Sequence, residues 1–135
     1  MASTNFKDTS AFKKGFALAM RIFEVSKRFP SEEKYALTDQ IRRSSRSVCA
    51  NLAEAFRKRL YPAHFVSKIT DADAENSETR VWLEFSYTCK YISEEDYITL
   101  TAQSAEVGKL VVPVADGGDG YAVGCCHFAN SDAAS

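Results

Sequence analysis

Four arginines, Arg42, Arg43, Arg46 and Arg57, stand at spacings that gather them on one side of a helix. At about 100° per residue, with Ile41 set at zero, they fall at about 100°, 200°, 140° and 160°. A guanidinium is planar, always charged and able to make two parallel bonds to phosphate oxygens. A row of them a turn or two apart therefore suits a phosphate backbone, which releases condensed counterions on contact. Lys58 and Arg59 carry the charge past Arg57. Lys14, Arg21 and Arg28, spaced seven apart, form a supporting line with Lys13 and Lys27 beside it. The chemistry these residues point to is binding of RNA or DNA through its phosphates. Only Asp39 and Glu54 lie near the arginine arc, so neutralisation along the helix itself is weak. Aromatic residues are not interleaved with the arginines as stacking on unpaired bases requires, so sequence-specific reading of single strands is not expected.

The acidic residues lie elsewhere. Up to Thr70 the chain carries 14 Lys and Arg against 6 Asp and Glu; from Asp71 onward it carries 3 against 12, and the whole nets to −1. Asp71, Glu75 and Glu78 share one face of a helix at spacings of four and three. Such sorting supports a second reading beside phosphate binding. In an assembly or adaptor protein, the basic helices of one subunit would meet the acidic face of the next, with Asp71, Glu75 and Glu78 as interface residues and the charges setting specificity. The sequence leaves both readings open.

Other chemistry finds little support. No nucleophile stands beside a base, no glycine-rich loop opens a helix, and the histidines are His64 and His127, so no catalysis is expected. Asp71, Asp73 and Glu75 open like a calcium loop, but the sixth position is Asn76 instead of glycine and the twelfth is Trp82 instead of glutamate. The cysteines Cys49, Cys89, Cys125 and Cys126 have no C-x-x-C spacing, and Cys125, Cys126 and His127 lack the paired spacing of a zinc site. No metal or cofactor is expected, and a reduced, cytoplasmic setting is. Arg21 interrupts the apolar run from Gly15 to Met20 with no small-residue cleavage site after it, so neither a signal peptide nor a membrane span is expected.

These residues need helices to place them. At 135 residues and 45% apolar content the chain suits one soluble domain. Phe12, Phe16, Ala19 and Phe23 recur at helical spacing and predict a first helix from about Ser10 to Arg28, stopped by Pro30. Ser31 offers an N-cap for the second, with Glu32 and Glu33 at its positive end. That helix buries Leu37, Ile41, Ser45, Val48, Leu52 and Phe56 opposite the arginines. Pro62 suits the first turn of the third helix, which His64 flanks. Its main face is Phe65, Ile69, Ala72, Asn76, Leu83 and Tyr87, widened by Val81, Trp82 and Phe85. Ser93 with Asp96 three residues on starts the fourth, whose contacts are Tyr97, Leu100, Val107 and Leu110 or Val111. Short connections between long helices favour antiparallel neighbours. The fold class is therefore all-α, an up-down-up-down antiparallel four-helix bundle over residues 10–112, after an N-terminal extension 1–9. Residues 113–135, rich in glycine and without lysine or arginine, are an irregular tail with a short extended piece around Tyr121 to Val123.

The run from Phe29 through Ser31, Glu32 and Glu33, then Gln40, Ile41, Arg42 and Arg43, and then Asn51 and Glu54, resembles the four-helix-bundle proteins encoded in 23S rRNA intervening sequences of bacteria. The resemblance covers roughly Phe12 to Val111. It implies a helical bundle that forms a ring-like homo-oligomer, commonly a pentamer, with no known catalysis and a role with nucleic acid. A related branch, the accessory proteins of diversity-generating retroelements, implies a protein partner such as a reverse transcriptase, met through a basic surface.

Overall fold

A computed structural model describes residues 5–111, together with the backbone of 114–115 and 121–122. The described chain folds into α1 (Ser10–Ser26), α2 (Asp39–Arg57), α3 (Pro62–Thr88) and α4 (Glu94–Leu110). Ahead of α1, Phe6–Asp8 makes one 3₁₀ turn, with Asn5 Oδ1 accepting the Lys7 N–H. Thr9 then caps α1, its Oγ1 accepting the Phe12 N–H at 3.3 Å.

The buried side of α1 is Ala11, Gly15, Leu18, Ile22 and Val25, at spacings of four, three, four and three. This corrects the expected stripe of Phe12, Phe16, Ala19 and Phe23, of which only Ala19 is buried and Phe16 is 52% exposed. The reason is size. A Cβ on Gly15 would meet Cys49 Sγ at 3.5 Å and Val48 and Leu52 side-chain carbons at 3.7 Å. Small residues thus let α1 approach α2 closely, and the phenyl rings are left on the flank. The helix also ends at Ser26 instead of Arg28, because the N–H groups of Lys27, Arg28 and Phe29 turn to the carbonyls three residues back before Pro30.

Ser31 does not cap the next element. Ser31–Glu33 is a 3₁₀ turn without a side-chain cap, the Glu33 N–H bonding Pro30 O at 2.9 Å, and Lys34–Thr38 is one π-helical turn leading into α2. From there the expected stripe holds. Leu37, Ile41, Ser45, Val48, Leu52 and Phe56 are all buried, each large apolar member contributing about 1.5–3 kcal/mol.

Pro62 occupies the first turn of α3, whose buried face is Phe65, Ile69, Ala72, Asn76, Thr79, Leu83 and Ser86. Tyr87, expected on this face, is instead exposed and stacks on Tyr97 at 4.3 Å. The helix ends in a Schellman turn: Tyr91 N–H bonds Ser86 O, Lys90 N–H bonds Tyr87 O, and Lys90 sits at φ 62°. Ser93 caps α4, its Oγ accepting the Asp96 N–H at 3.1 Å, and Leu100, Val107 and Val111 are buried.

Helix α1 packs on α2 and α4, and α3 packs on the same two, giving the antiparallel four-helix bundle that the sequence predicts. The centre is apolar, with Ile22, Ile41, Leu52, Ile69, Leu83 and Leu100 almost fully enclosed. Polar contacts cross it in two places: between α3 and α4, Asn76 Nδ2 donates to Ser104 O and Ser104 Oγ donates to Asn76 Oδ1, both at 3.0 Å, and between α3 and α2, Thr79 Oγ1 meets Ser44 Oγ at 2.8 Å. Val114–Ala115 pairs antiparallel with Tyr121–Ala122, which matches part of the expected extended piece. The rest of the predicted tail lies outside the described residues. Among the described residues no helix is long and apolar enough to cross a membrane.

Candidate nucleic-acid interface

The fold divides the nine cations that the sequence assigns to phosphate binding into two groups. Lys14, Arg21, Arg28 and Arg43 face carboxylates from the second half of the same chain. Across α1 and α4, Lys14 Nζ lies 3.1 Å from Glu106 Oε1, Arg28 Nη2 3.3 Å from Asp96 Oδ2, and Arg21 Nη2 3.7 Å from Asp96 Oδ1. Across α2 and α3, Arg43 Nη2 lies 2.9 Å from Glu78 Oε1 and Nη1 3.9 Å from Glu75 Oε1. Asp71, the third residue of the acidic face, lies 3.7 Å from Lys68 Nζ, which Glu54 holds at 2.8 Å. The sorted charges therefore meet inside one chain. Exposed pairs of this kind contribute about 0–1 kcal/mol each, so their effect is to match helix faces more than to hold the bundle together.

Ionisation follows the same geometry. Burial, reinforced by the neighbouring Glu78 carboxylate and only partly offset by Arg43, pushes the Glu75 carboxyl above its ordinary range. The hydrogen bond and charge of Glu54 hold the Lys68 ammonium above its own. Burial raises the Cys49 thiol to about 11.

The second group is Arg42, Arg46, Arg57, Lys58 and Arg59. Among the described residues none of these has a carboxylate oxygen within 4.0 Å. Arg42 Nε donates to Ser26 Oγ at 2.7 Å and its guanidinium lies 5.0 Å from the Phe23 ring centroid. Arg46 approaches the same ring at 5.8 Å. Arg59 Nη1 donates to Phe56 O at 2.8 Å, with its guanidinium 4.1 Å from the Phe56 centroid. Arg42, Arg43, Arg46 and Ser47 line one shallow depression on α2 together with Asp39, and Arg57 and Arg59 line another with Asn5, Phe6 and Glu54. At about 1.5 Å per residue the Arg46 and Arg57 ends are roughly 16 Å apart along the helix. Sequence reasoning missed Phe23 as the platform for these guanidinium groups. Its spacing to Lys27 was visible within α1, but its meeting with α2 depends on the packing of the two helices.

Two apolar surfaces accompany the charges. Phe6, Phe12, Phe16, Ala19, Met20 and Cys49 line a groove between α1 and α2 that Arg46 borders. On the α3 and α4 side, Val81, Phe85 and Ile98 are all at least half exposed. Among the described residues no group of three or more His, Cys, Asp or Glu is placed to hold a metal ion.

The model of the family described as 23S rRNA-intervening sequence protein matches residues 7–112. A crystal structure of a protein with unknown function from the S23 ribosomal protein family of Bacteroides thetaiotaomicron is 34% identical, with a TM-score of 0.70, over 78% of this chain and 94% of that one. No curated protein is similar enough to match.

Proposed function

Because the chain belongs to the family of 23S rRNA-intervening sequence proteins, whose name gives no activity, we propose from its own surface that it is a non-enzymatic, cytoplasmic protein that binds RNA or DNA through phosphates. The binding face is the outward side of α2. One observation carries this reading: Arg42, Arg46, Arg57, Lys58 and Arg59 keep their charge without a carboxylate partner among the described residues, whereas Lys14, Arg21, Arg28 and Arg43 are matched within the chain. Arg42, Arg46, Arg57, Lys58 and Arg59 supply the long-range field that draws a polyanion in, and the matched cations keep the bundle's own helices in register. Five engaged phosphates give a log–log slope of affinity on salt of about −4.5 for duplex, from about −0.9 for each. Replacing Arg42 and Arg46 by Gln brings the slope to about −2.7. Affinity independent of salt, or a slope untouched by the replacement, rules the reading out.

A homo-oligomer belongs to the same proposal, as the resemblance in the sequence implies. Its support is apolar surface in two different places: the groove around Phe16 and Met20, and the patch of Val81, Phe85 and Ile98. Two unlike patches suit a head-to-tail contact that closes into a ring. An adaptor role toward a protein partner would use the same patches. In either case, contact between the acidic face of one copy and the basic face of another would have to displace the pairs that Arg43 and Lys68 already make. Phe16→Glu together with Phe85→Glu lowers the mass seen by light scattering to that of one chain. An unchanged mass contradicts the ring.

A further inference from the structure

We propose that the seam where the end of α1 meets α2 is a site for a single terminal phosphate, a phosphomonoester, distinct from the run of backbone phosphates along α2. Three cations converge on one ring there. Lys27 Nζ, the Arg42 guanidinium and the Arg46 guanidinium lie 4.7, 5.0 and 5.8 Å from the Phe23 centroid. The ring quadrupole offsets only a small part of the repulsion among three like charges gathered around it. The compensating groups are three. Glu24 lies 3.2 Å from Lys27, Asp39 lines the same depression as Arg42 and Arg46 without coming within 4.0 Å of either, and the carbonyl end of α1 contributes about half a negative charge. Neither guanidinium has a carboxylate within 4.0 Å among the described residues.

The seam is also pre-organised. Ser26 Oγ donates to Phe23 O at 3.0 Å and accepts from Arg42 Nε at 2.7 Å. That pair of bonds fixes the guanidinium plane and leaves its two terminal nitrogens for an incoming oxygen pair. Phe23 is half-buried and walls one side. Three cationic donors around one ring fit the three terminal oxygens of a phosphomonoester better than the two free oxygens of a phosphodiester. Phe23 and Ser26 stand in the last turn of α1 with Lys27 just after it, and Arg42 and Arg46 are one turn apart on α2, so the site exists only where these two helices meet.

This inference deepens the phosphate-binding reading of α2 and rests on it for Arg42 and Arg46. The test uses the full chain at fixed salt with three probes: a short RNA bearing a 5′-phosphate, the same RNA with a 5′-hydroxyl, and inorganic phosphate. The 5′-phosphate is expected to tighten binding about tenfold, the worth of one charge-assisted bond, and inorganic phosphate to abolish that increment. Ser26→Ala, which frees Arg42 without removing a charge, and Lys27→Gln should each shrink the increment. Arg46→Gln does the same and tests the site without touching a bond that holds the fold. Equal affinity for the two RNAs overturns the terminal-phosphate site while leaving the α2 reading intact. Inorganic phosphate bound by the wild type but not by Arg42→Gln, with neither RNA bound, supports the site and overturns the nucleic-acid reading.

Discussion

Replacing Asn76 by Ala should cost the bundle about 2–4 kcal/mol. Asn76 is 2% exposed, and its amide makes both bonds of the clasp to α4, donating to Ser104 O and accepting from Ser104 Oγ. Truncation removes two hydrogen bonds worth about 1 kcal/mol each. It also leaves the Ser104 hydroxyl without its acceptor in a closed interface and opens a small cavity, since a Cβ on Gly108 would lie only 3.5 Å from Asn76 Nδ2. For a domain of this size such a loss lowers Tm by roughly 10–20 °C. Urea unfolding followed by circular dichroism measures it, with an unchanged m-value showing that the unfolded state is not the cause. Ser104→Ala completes a double-mutant cycle, and the pair should couple by about 1 kcal/mol or more. A loss below about 1 kcal/mol for Asn76→Ala, or additive single effects, would refute the reasoning that the clasp joins α3 to α4.

Three further outcomes follow from individual sites. Lys90 holds φ 62° at the end of α3, where a side chain costs about 1–2 kcal/mol, so Lys90→Gly should raise stability by about 1 kcal/mol in the same urea assay. Glu75 is pushed above its ordinary 4.5 in the folded chain, so it binds a proton more readily folded than unfolded. Its destabilising effect is absent below pH 4.5 and complete once pH has risen through the raised value. Unfolding measured against pH should therefore show Glu75→Gln more favourable relative to wild type at pH 7 than at pH 4; the opposite trend counts against the assignment. Cys89 is exposed whereas Cys49 is buried with its thiol raised to about 11. Iodoacetamide with peptide mapping should label Cys89 rapidly and Cys49 only after denaturant is added.

The helices were legible because their punctuation is strong: Pro30, Pro62 and Ser93 mark boundaries whose chemistry allows little else. The α2 stripe was readable because its apolar residues fall in one narrow arc. Helix α1 was misread because it carries two apolar arcs. Periodicity weights large rings, whereas close packing selects Ala11, Gly15 and Leu18, and the choice between them depends on the shape of α2. The π turn at Lys34–Thr38 has no local signal comparable to a proline. The charge asymmetry was plain in the sequence, but which cation meets which carboxylate depends on the order of helices around the bundle. That is why Arg43 and Arg42, adjacent in the chain, end in different roles: one faces Glu78 and the other Ser26 and Phe23. The clasp of Asn76 was visible only as a polar residue on a buried face.

The central claim is that position on α2, not net charge, makes the binding surface. Two triple variants with the same loss of charge test it: Arg42, Arg46 and Arg57 to Gln in one, and Lys14, Arg21 and Arg28 to Gln in the other. The measurement is the salt slope of duplex binding, with circular dichroism confirming that both fold. The first variant should lose about 2.7 of the slope, from about 0.9 per phosphate contact, and the second close to none. Equal losses in the two variants would contradict the account, because total charge and not the outward face of α2 would then set the affinity.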